Sequence, residues 1–292
     1  MPELPEVETV RRSLAPFVKN KNIVNVKVTD QYVLRGQALE AFRNGLIGQE
    51  FKQSDRHGKL LFFPLQDRTL IVHLGMTGQL TIRLPDREDT EFIRHEKTGL
   101  QRTLQHAPDK HTHIQIELEN GACLLYRDVR KFGRFFWIPK TNRDEIVQHF
   151  RLGVDPLTDL FNSDYLYEGL KKRRTPIKSA LLNQNFLAGL GNIYVDEALF
   201  HSEIRPGRAS NRLSRAKSQD LTEAITMVLD KGIDAGGTTL KDFVDGQGQG
   251  GYNQEGLQVY GKYGQPCPKC EQVLKRGTYG GRTTTWCSSC QK

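Results

Sequence analysis

The first eight residues, Met-Pro-Glu-Leu-Pro-Glu-Val-Glu, form the pattern in this chain with the clearest chemical potential. A small residue such as Pro2 at the second position favours removal of the initiator methionine, which would leave Pro2 with a free secondary α-amine. Such an amine titrates near ~8, about two units below a lysine, so a sizeable fraction is neutral and nucleophilic at neutral pH. Glu3 and Glu6 are nearby carboxylates that can move protons. The pattern indicates imine chemistry.

The same residues have a purely structural interpretation. Proline suits the first position of a helix, and glutamate in the first turn complements the helix dipole. This interpretation predicts a helix over residues 3–15 and accounts for Glu3 and Glu6. It does not explain why the chain starts at that point, and both interpretations can hold together.

Four of the five cysteines lie in the last 26 residues, as two CxxC pairs separated by sixteen residues. Each CxxC turn directs two thiolates at one ion, and a set of four thiolates is typical of a closed, structural zinc site. The intervening segment, with glycines at its centre, predicts a β-hairpin. The ligands of the single structural Zn²⁺ would be Cys267, Cys270, Cys287 and Cys290. Disulfides are the alternative.

Two motifs combine apolar side chains with cations. Phe132 in Asp-Val-Arg-Lys-Phe-Gly-Arg lies two residues after Arg130, and Met76 lies in His73-Leu-Gly-Met-Thr-Gly. Apolar side chains can fill a gap in stacked bases, and a guanidinium can bond a base that is left unpaired. The alternative is that Met76 and Phe132 are core residues, which the residue types alone favour.

Several cations lie where they could meet phosphates. Residues 171–174 (Lys-Lys-Arg-Arg) and Lys178 lie just before and inside a predicted helix, and cations near a helix N-terminus suit phosphate. A solvated run of charge is the alternative for residues 171–174. Lys59 precedes an apolar strand, where it is either a hairpin-tip lysine facing a cleft or an ordinary surface lysine.

The composition narrows the class of partner. The net charge of +8 and the pI of about 9.2 favour an anionic partner, nucleic acid first, although many soluble proteins are basic. No apolar stretch approaches the ~20 residues of a membrane span, and the N-terminus lacks the apolar core of a signal peptide. We therefore expect a cytoplasmic protein without a membrane partner, and a monomer, because no interface signal stands out.

The pattern of the chain predicts an α+β fold. A leading helix is followed from about residue 22 to 138 by short β-branched and aromatic runs, which favour a β-sandwich. The polar stretch 85–112 is predicted to be a solvated loop. From residue 164 the apolar residues recur with the period of a helix. The pattern predicts a helix from Thr175-Pro176 to about Asn183, then a glycine turn, and then a helix over Asn192–His201. Together these form a predicted helix–two-turns–helix motif.

Proline and glycine residues that interrupt regular secondary structure, together with changes in composition, divide this sequence into four parts. Residues 1–138 are predicted to be the catalytic β-sandwich, 139–163 a hinge, 164–256 the helical DNA-binding domain and 257–292 the zinc finger. A glycine-rich loop closes the third part at 236–256, and its length is typical of a functional loop.

Taken together, these motifs resemble bacterial formamidopyrimidine-DNA glycosylases, in the family that also contains endonuclease VIII. The resemblance covers nearly the whole chain, and Leu4 at the start favours the branch that acts on oxidised purines. Besides the CxxC pairs, it is carried by the segments MPELPEVETVRR, HGKLLF, HLGMTGQL, DVRKFGRF, TPIKSALLNQNFLAGLGNIYVDEALF and LQVYGK.

The resemblance implies roles for individual residues. Pro2 matches the nucleophile that attacks C1′ and forms a Schiff base, Glu3 the general acid/base on the sugar, and Glu6 a supporting carboxylate. Lys59 matches the lysine that contacts phosphate and assists β-elimination, and Arg282 the finger arginine linked to δ-elimination. The wedge that replaces the flipped nucleotide matches Met76, Arg130 and Phe132, with Arg130 facing the orphan cytosine. Further DNA-contacting positions match His73, His111, Arg173, Lys178 and Asn192.

The expected function is therefore that of a bifunctional DNA glycosylase and apurinic/apyrimidinic lyase on damaged double-stranded DNA. It would excise 8-oxoguanine and formamidopyrimidines and cleave the strand by β,δ-elimination, in the bacterial cytoplasm at the nucleoid. One alternative is an endonuclease VIII-like enzyme for oxidised pyrimidines. A second is a zinc-containing protein that binds DNA damage without catalysis.

Overall fold

The structure is a computed structural model that describes residues 1–86, 90–94, 101–105 and 107–292, with the backbone alone for 90–94 and 101–105. The described helices are α1 (Leu4–Val18), α2 (Leu39–Leu46), α3 (Arg143–His149), α4 (Ser163–Lys171), α5 (Ile177–Leu181), α6 (Asn192–His201) and α7 (Arg215–Asp234). The described strands are β1 (Ile23–Val28), β2 (Leu34–Arg35), β3 (Asp55–His57), β4 (Leu60–Pro64), β5 (Arg68–His73), β6 (Gly78–Arg83), β7 (Thr90–Arg94), β8 (Gln101–Gln105), β9 (Thr112–Leu118), β10 (Cys123–Asp128), β11 (Arg134–Pro139), β12 (Lys275–Tyr279) and β13 (Arg282–Trp286).

Helix α1 is longer than predicted because its apolar spacing continues. Val7, Val10 and Leu14 are buried, and Val18, the last residue of the helix, extends the same buried face by one more turn. Residues at this spacing lie on one face of a helix, so α1 covers apolar surface along its whole length.

Two sheets form the predicted β-sandwich. The four-stranded sheet has the order β1-β9-β10-β6, and the five-stranded sheet has the order β2-β11-β5-β4-β3. All described pairs in these two sheets are antiparallel except β11 with β2. One cluster of buried side chains unites both sheets with α1 and α2, and it includes Ile116, Tyr126 and Phe135. The α+β fold with a leading helix is confirmed.

Some elements differ from the prediction. Helix α2 lies within the region predicted to be strands only; its Phe42 and Leu46 are one helical turn apart and both are buried. The stretch 85–112, predicted to be a loop, contains the antiparallel pair β7 and β8. His95 and His106, two histidines of that stretch, lie outside the described residues.

The chain divides into two compact units. The first contains residues 1–146 and 235–254, and the second contains residues 147–234 and 255–292. Most of the glycine-rich loop, placed with the helical part from the sequence, thus belongs to the first unit. Helix α3 lies inside the predicted hinge.

The second unit contains helices α4–α7 and the hairpin of β12 and β13. Helix α6 has the bounds that the sequence predicts, and α5 and α6 flank the glycine turn of the predicted helix–two-turns–helix motif. None of the helices in the described part of the chain combines the length and the apolar composition that a membrane span requires.

Candidate active site

The N-terminal carboxylates are organised by the first turn of α1. Glu3 is the N-cap, and its side chain accepts a hydrogen bond from the backbone N–H of Glu6. In return the Glu3 N–H donates to Glu6 Oε2 at 2.8 Å. This reciprocal capping box satisfies two backbone donors that a helix start leaves open. Pro2, Glu3 and Glu6 are all buried, whereas Met1 is 50% exposed.

Glu6 also binds the glycine-rich loop. Its Oε1 accepts a hydrogen bond of 2.7 Å from the backbone N–H of Thr238, so its two oxygens serve two distant segments of the chain. Gly237 has φ +85°, and a Cβ there would lie 3.1 Å from Glu6 Cγ and 2.7 Å from the Phe243 ring. A glycine is therefore required beside Glu6.

The rest of this loop is folded against the same unit. The N–H of Gly246 donates to Ser13 Oγ on α1 at 2.7 Å, and its carbonyl accepts from the N–H of Ile82 at the sheet edge, also at 2.7 Å. The glycine-rich loop therefore has defined hydrogen bonds to α1, the helix that Glu3 caps and that contains Glu6.

Lys59 lies at a two-residue turn between β3 and β4. Gly58, its neighbour in the turn, has φ +56°, a conformation that favours glycine. Lys59 itself is buried, with 8% of its surface exposed. The position of Lys59 therefore agrees with the prediction of a lysine at a hairpin tip. It does not agree with the alternative of an ordinary surface lysine.

An ion pair that the sequence did not reveal joins this turn to α1. Arg56 is buried; its Nε donates to Glu8 Oε2 at 3.1 Å and an NH1 donates to the Gly58 carbonyl at 2.9 Å. Burial raises the pKa of Glu8, but hydrogen bonds from Arg11 and Arg12 and the charges of Arg11 and Arg56 outweigh it and lower the pKa to about 2. Glu8 is therefore ionised and holds the guanidinium that fixes the Lys59 turn.

His73 ends strand β5 and faces the same region. Its Nδ1 accepts a hydrogen bond from the Gly75 N–H at 3.2 Å. Burial, and then the positive charges of Lys59 and Arg134, lower the pKa of His73 to about 4. The imidazole is therefore neutral at neutral pH, and its Nε2 carries the proton that a phosphate oxygen could accept.

Met76, Phe132 and Arg130 lie together on two neighbouring turns. Met76 is 41% exposed and Phe132 is 47% exposed, so the core alternative for both residues is wrong. The Arg130 guanidinium lies 4.5 Å from the centroid of the Phe132 ring. The turns touch at Gly75, where a Cβ would lie 2.4 Å from the Gly133 nitrogen. Exposed apolar side chains beside a cation match the geometry of a wedge.

Asp128 anchors both turns, although no sequence pattern singled it out. This fully buried carboxylate accepts hydrogen bonds from Thr77 Oγ1 (2.5 Å), Tyr126 OH (2.9 Å) and the backbone N–H groups of Gly133 (2.8 Å) and Arg130 (3.2 Å). Burial raises its pKa, but these hydrogen bonds outweigh burial and lower it. The only available signal was an acid at the start of a basic, aromatic segment.

His111 lies at the base of the same region. Its carbonyl accepts the N–H of Asp128 at 3.0 Å, and its own N–H donates to Asp109 Oδ1 at 2.9 Å. The structure thus brings His111 next to the strand that leads to the wedge. The sequence alone had placed it in a long polar stretch.

The other predicted DNA-contacting residues belong to the second unit. Arg173 lies over the Phe186 ring, with 4.0 Å between guanidinium carbon and centroid. Asn192, the first residue of α6, donates to the Thr283 carbonyl in β13 at 2.9 Å. The tip residue Arg282 is exposed.

Lys178 has a different environment from the one predicted. It is completely buried, and its Nζ lies 2.6 Å from Asp196 Oδ1 and 3.2 Å from the Thr283 carbonyl. Burial raises the pKa of Asp196 to about 7 against the effect of Lys178. This buried pair connects α5, α6 and β13, so a phosphate contact by Lys178 would require its Nζ to become exposed.

The four cysteines meet at one point. All four Sγ atoms lie within 4.8 Å of one another, with 3.9 Å between Cys267 and Cys290 and 3.5 Å between Cys270 and Cys287. These separations exceed a disulfide bond and are near the ~3.8 Å that a tetrahedral ion with ~2.3 Å metal–sulfur bonds requires. The donor set fits a closed metal site, and the disulfide alternative does not fit.

Comparison with known proteins shows which class this architecture defines. Residues 1–135 match the model of the formamidopyrimidine-DNA glycosylase N-terminal domain, and residues 152–244 match the formamidopyrimidine-DNA glycosylase H2TH domain. The structure therefore has the fold of a DNA glycosylase. Because these models cover most of the chain and full-length relatives agree, the chain belongs to the formamidopyrimidine-DNA glycosylase family.

Relatives and solved structures match over the full length. The formamidopyrimidine-DNA glycosylase of Lactobacillus delbrueckii is 40% identical to this chain, and the match covers 100% of both proteins. The formamidopyrimidine-DNA glycosylase of Pelotomaculum thermopropionicum is 39% identical, and the match covers 100% of this chain and 99% of the relative. The wild-type Lactococcus lactis Fpg in complex with N7-benzyl-Fapy-dG containing DNA has a TM-score of 0.85 at 32% identity, with full coverage of both chains. The Fpg of Thermus thermophilus has a TM-score of 0.81 at 35% identity, covering 99% of this chain and 98% of its own.

Proposed function

We propose that the chain is a bifunctional DNA glycosylase and apurinic/apyrimidinic lyase of base excision repair that acts on oxidised purines in duplex DNA. The observation that carries this proposal is the buried capping box of Glu3 and Glu6 directly after Pro2. It fixes two carboxylates beside the residue whose amine would become the nucleophile once Met1 is removed. Membership of the family supports the same chemistry.

The proposed reaction begins with the Pro2 amine. Its nitrogen forms a bond to C1′ of the damaged nucleoside as the bond from C1′ to the base breaks. The base leaves with the bonding electrons, and the proton that the nitrogen loses goes to the departing base. Glu3 donates a proton to the sugar oxygen as the ring opens, and the product is an iminium. The iminium acidifies the C2′ protons; loss of one of them expels the 3′ phosphate by β-elimination, and a second elimination releases the 5′ phosphate.

Other residues act by position and charge. Lys59, held by Arg56, would contact phosphate, and neutral His73 would donate to a phosphate oxygen without adding a charge. A base inside a duplex hides C1′, so the nucleotide must be flipped out at a cost of a few kcal/mol. The exposed side chains of Met76 and Phe132, with Arg130, would occupy the vacated space and offset part of that cost.

The decisive experiment is borohydride trapping on duplex DNA with 8-oxoguanine opposite cytosine. Borohydride reduces the iminium to a stable amine, so the wild-type protein should form a covalent adduct. Pro2→Gly should form little or none, and the mass of the mature N-terminus should lack Met1. Intact DNA binding without an adduct, in protein that lacks Met1, would instead support the non-catalytic damage-binding protein.

An oxidised pyrimidine is a second candidate substrate. One structure similar to this chain, at 32% identity and a TM-score of 0.84, is the Lactococcus lactis Fpg with oxidised pyrimidine containing DNA. Parallel trapping with a duplex that contains an oxidised pyrimidine tests this candidate. Faster adduct formation on that duplex than on 8-oxoguanine would overturn the assignment to oxidised purines.

We propose zinc as the metal of the four-cysteine site, since a tetrahedral set of thiolates suits Zn²⁺. The ion would be structural, holding Cys267, Cys270, Cys287 and Cys290 so that the hairpin with Arg282 keeps its shape. Cys287→Ser should lose zinc and weaken DNA binding at least tenfold while α1 and the β-sandwich stay folded. Ser288→Ala, next to the ligand, is the matched control. Elemental analysis and a DNA titration test this, and full binding by the zinc-free variant would contradict it.

We further propose that the protein acts as a monomer on the bacterial chromosome in the cytoplasm. The predicted function needs a single copy of each site residue, and the family relatives are bacterial proteins.

A further inference from the structure

The second unit has a basic pocket beside the tip of the finger hairpin. The pocket has a volume of about 570 Å³ and opens between residues 205–212 and strand β12. Its lining includes the cationic residues Arg205, Arg208, Arg212 and Lys292, and it includes neither an aspartate nor a glutamate among the described residues. Such a concentration of positive charge around a concavity attracts anions.

The arginines of this pocket divide into two groups. Arg208 is committed to the fold, because its guanidinium donates to the backbone carbonyl of Arg212 at 3.0 Å and to the main-chain oxygen of Lys292 at 3.5 Å. Arg205 and Arg212 are exposed. Their planar guanidinium groups match the geometry of phosphate oxygens and can reach a ligand from the walls.

Tyr279 connects this pocket to Arg282. The two residues flank a two-residue turn in which Gly280 and Gly281 have φ +58° and +70°, and they are partners in the β12–β13 register. Directly opposed residues of an antiparallel pair project from the same face, about 4.5–5.5 Å apart at Cβ. Tyr279 also lines the pocket, and its ring packs so closely on Gly207 that a Cβ there would lie 2.7 Å from it.

We propose that this pocket binds backbone phosphates of the DNA strand that Arg282 contacts, beyond the phosphate at Arg282 itself. Successive phosphates of one strand follow every ~3.4 Å along the duplex axis, so a strand at Arg282 presents further phosphates to the adjoining wall. The pocket of about 570 Å³ is open to solvent, so part of an extended sugar-phosphate strand can lie in it. The inference rests on the proposed function, because it requires duplex DNA at the finger.

The test measures how DNA affinity depends on salt. Each phosphate contact contributes about 0.9 to the slope of log K against log salt concentration. The double variant Arg205→Ala/Arg212→Ala should therefore reduce this slope by about 2 and weaken binding on the order of tenfold at physiological salt. Arg205→Lys/Arg212→Lys, which keeps both charges, should retain most of the slope.

The matched control removes the same charge elsewhere in this unit. Arg215→Ala/Lys231→Ala eliminates two exposed cations outside the pocket and should leave the slope unchanged. Equal slopes for the pocket variant and this control would overturn the proposal. Titration with pyrophosphate is a second experiment. If pyrophosphate binding requires Arg205 and Arg212 while the salt dependence of DNA binding is the same in the pocket variant and the wild type, the pocket is a site for a free anion. That result would also overturn the proposal.

Borohydride trapping by the wild-type protein at saturating duplex reports the proposed function separately. An adduct with an unchanged slope in the pocket variant would refute the pocket alone. Absence of an adduct would refute the lyase chemistry, whatever the slope.

Discussion

At the scale of single residues, the least expected finding is how much the predicted catalytic groups depend on buried charges beside them. Glu8 and Arg56 were not singled out in the sequence, yet their ion pair links α1 to the carbonyl that precedes Lys59. A planar guanidinium can bridge a carboxylate and a carbonyl at once, and an ammonium of similar length cannot reproduce that geometry. Arg56 is therefore a positioning residue.

Arg56→Lys should slow strand cleavage more than it weakens DNA binding. Loss of the Gly58 contact lets the Lys59 turn shift, and a displacement of about 1 Å in a reacting group costs on the order of 10- to 100-fold in rate. Single-turnover cleavage of a duplex with an abasic site measures this. Arg43→Lys, at an exposed ion pair with Glu40, is the matched control. The same cleavage rate in both variants would show that Arg56 only stabilises the fold.

At the scale of elements, the wedge is two turns held by one carboxylate. Neither turn has regular secondary structure, so the position of Met76 and Phe132 depends on the side chains of Thr77 and Tyr126 and on backbone N–H groups that meet at Asp128. A carboxylate that accepts four hydrogen bonds restricts the positions of the two turns far more than a single hydrogen bond would. The wedge is consequently prearranged rather than assembled on DNA.

Asp128→Asn should loosen the wedge, because an amide offers one acceptor oxygen and presents N–H groups to donors. We expect a loss of about 2–3 kcal/mol of stability in the first unit and slower flipping of the lesion. Fluorescence of 2-aminopurine placed beside the lesion follows the flipping step. Glu117→Gln, an exposed carboxylate bonded to Asn25, is the control. Unchanged flipping in a correctly folded Asp128→Asn variant would disprove the anchoring role.

At the scale of the whole molecule, stability should fall in weak acid. His73 has a pKa of about 4 in the folded protein and near 6.5 when unfolded, so the unfolded chain binds more protons between these values. Acidification from pH 6.5 to 4 therefore favours unfolding. The carboxylate of Glu8, with a pKa of about 2, adds a second loss as the pH falls from 4.5 towards 2.

Urea unfolding between pH 4 and 7 tests the contribution of His73. His73→Asn keeps an acceptor for the Gly75 N–H and removes the titration, so its unfolding midpoint should depend less steeply on pH than that of the wild type. His149→Asn, at an exposed histidine, should follow the wild type. Identical pH profiles for all three proteins would mean that protonated His73 is tolerated in the fold.

The sequence predicted what local patterns encode. Periodic apolar residues located α1, α6 and most strands, and the spacing of four cysteines predicted their meeting point, because each signal lies within a few residues. The sequence could not predict that Asp128 joins two turns, because Thr77 of the other turn lies 51 residues away. It could not predict the burial of Lys178 either, because the partners Asp196 and Thr283 lie 18 and 105 residues away. Helix α2 was missed because eight residues offer only two buried positions, Phe42 and Leu46.

The shared carboxylate of Glu6 makes two backbone amides into natural reporters. The N–H groups of Glu3 and Thr238 donate to different oxygens of the Glu6 side chain, although the two residues lie 235 positions apart in the sequence. Glu3 lies at the start of α1, and Thr238 lies in the glycine-rich loop. Opening of residues 235–254 exposes the Thr238 amide to solvent and leaves the capping box of Glu3 in place. With fast reclosing, the observed exchange rate of the Thr238 amide relative to its intrinsic rate gives the free energy of loop opening, and the Glu3 amide serves as the internal reference for the capping box.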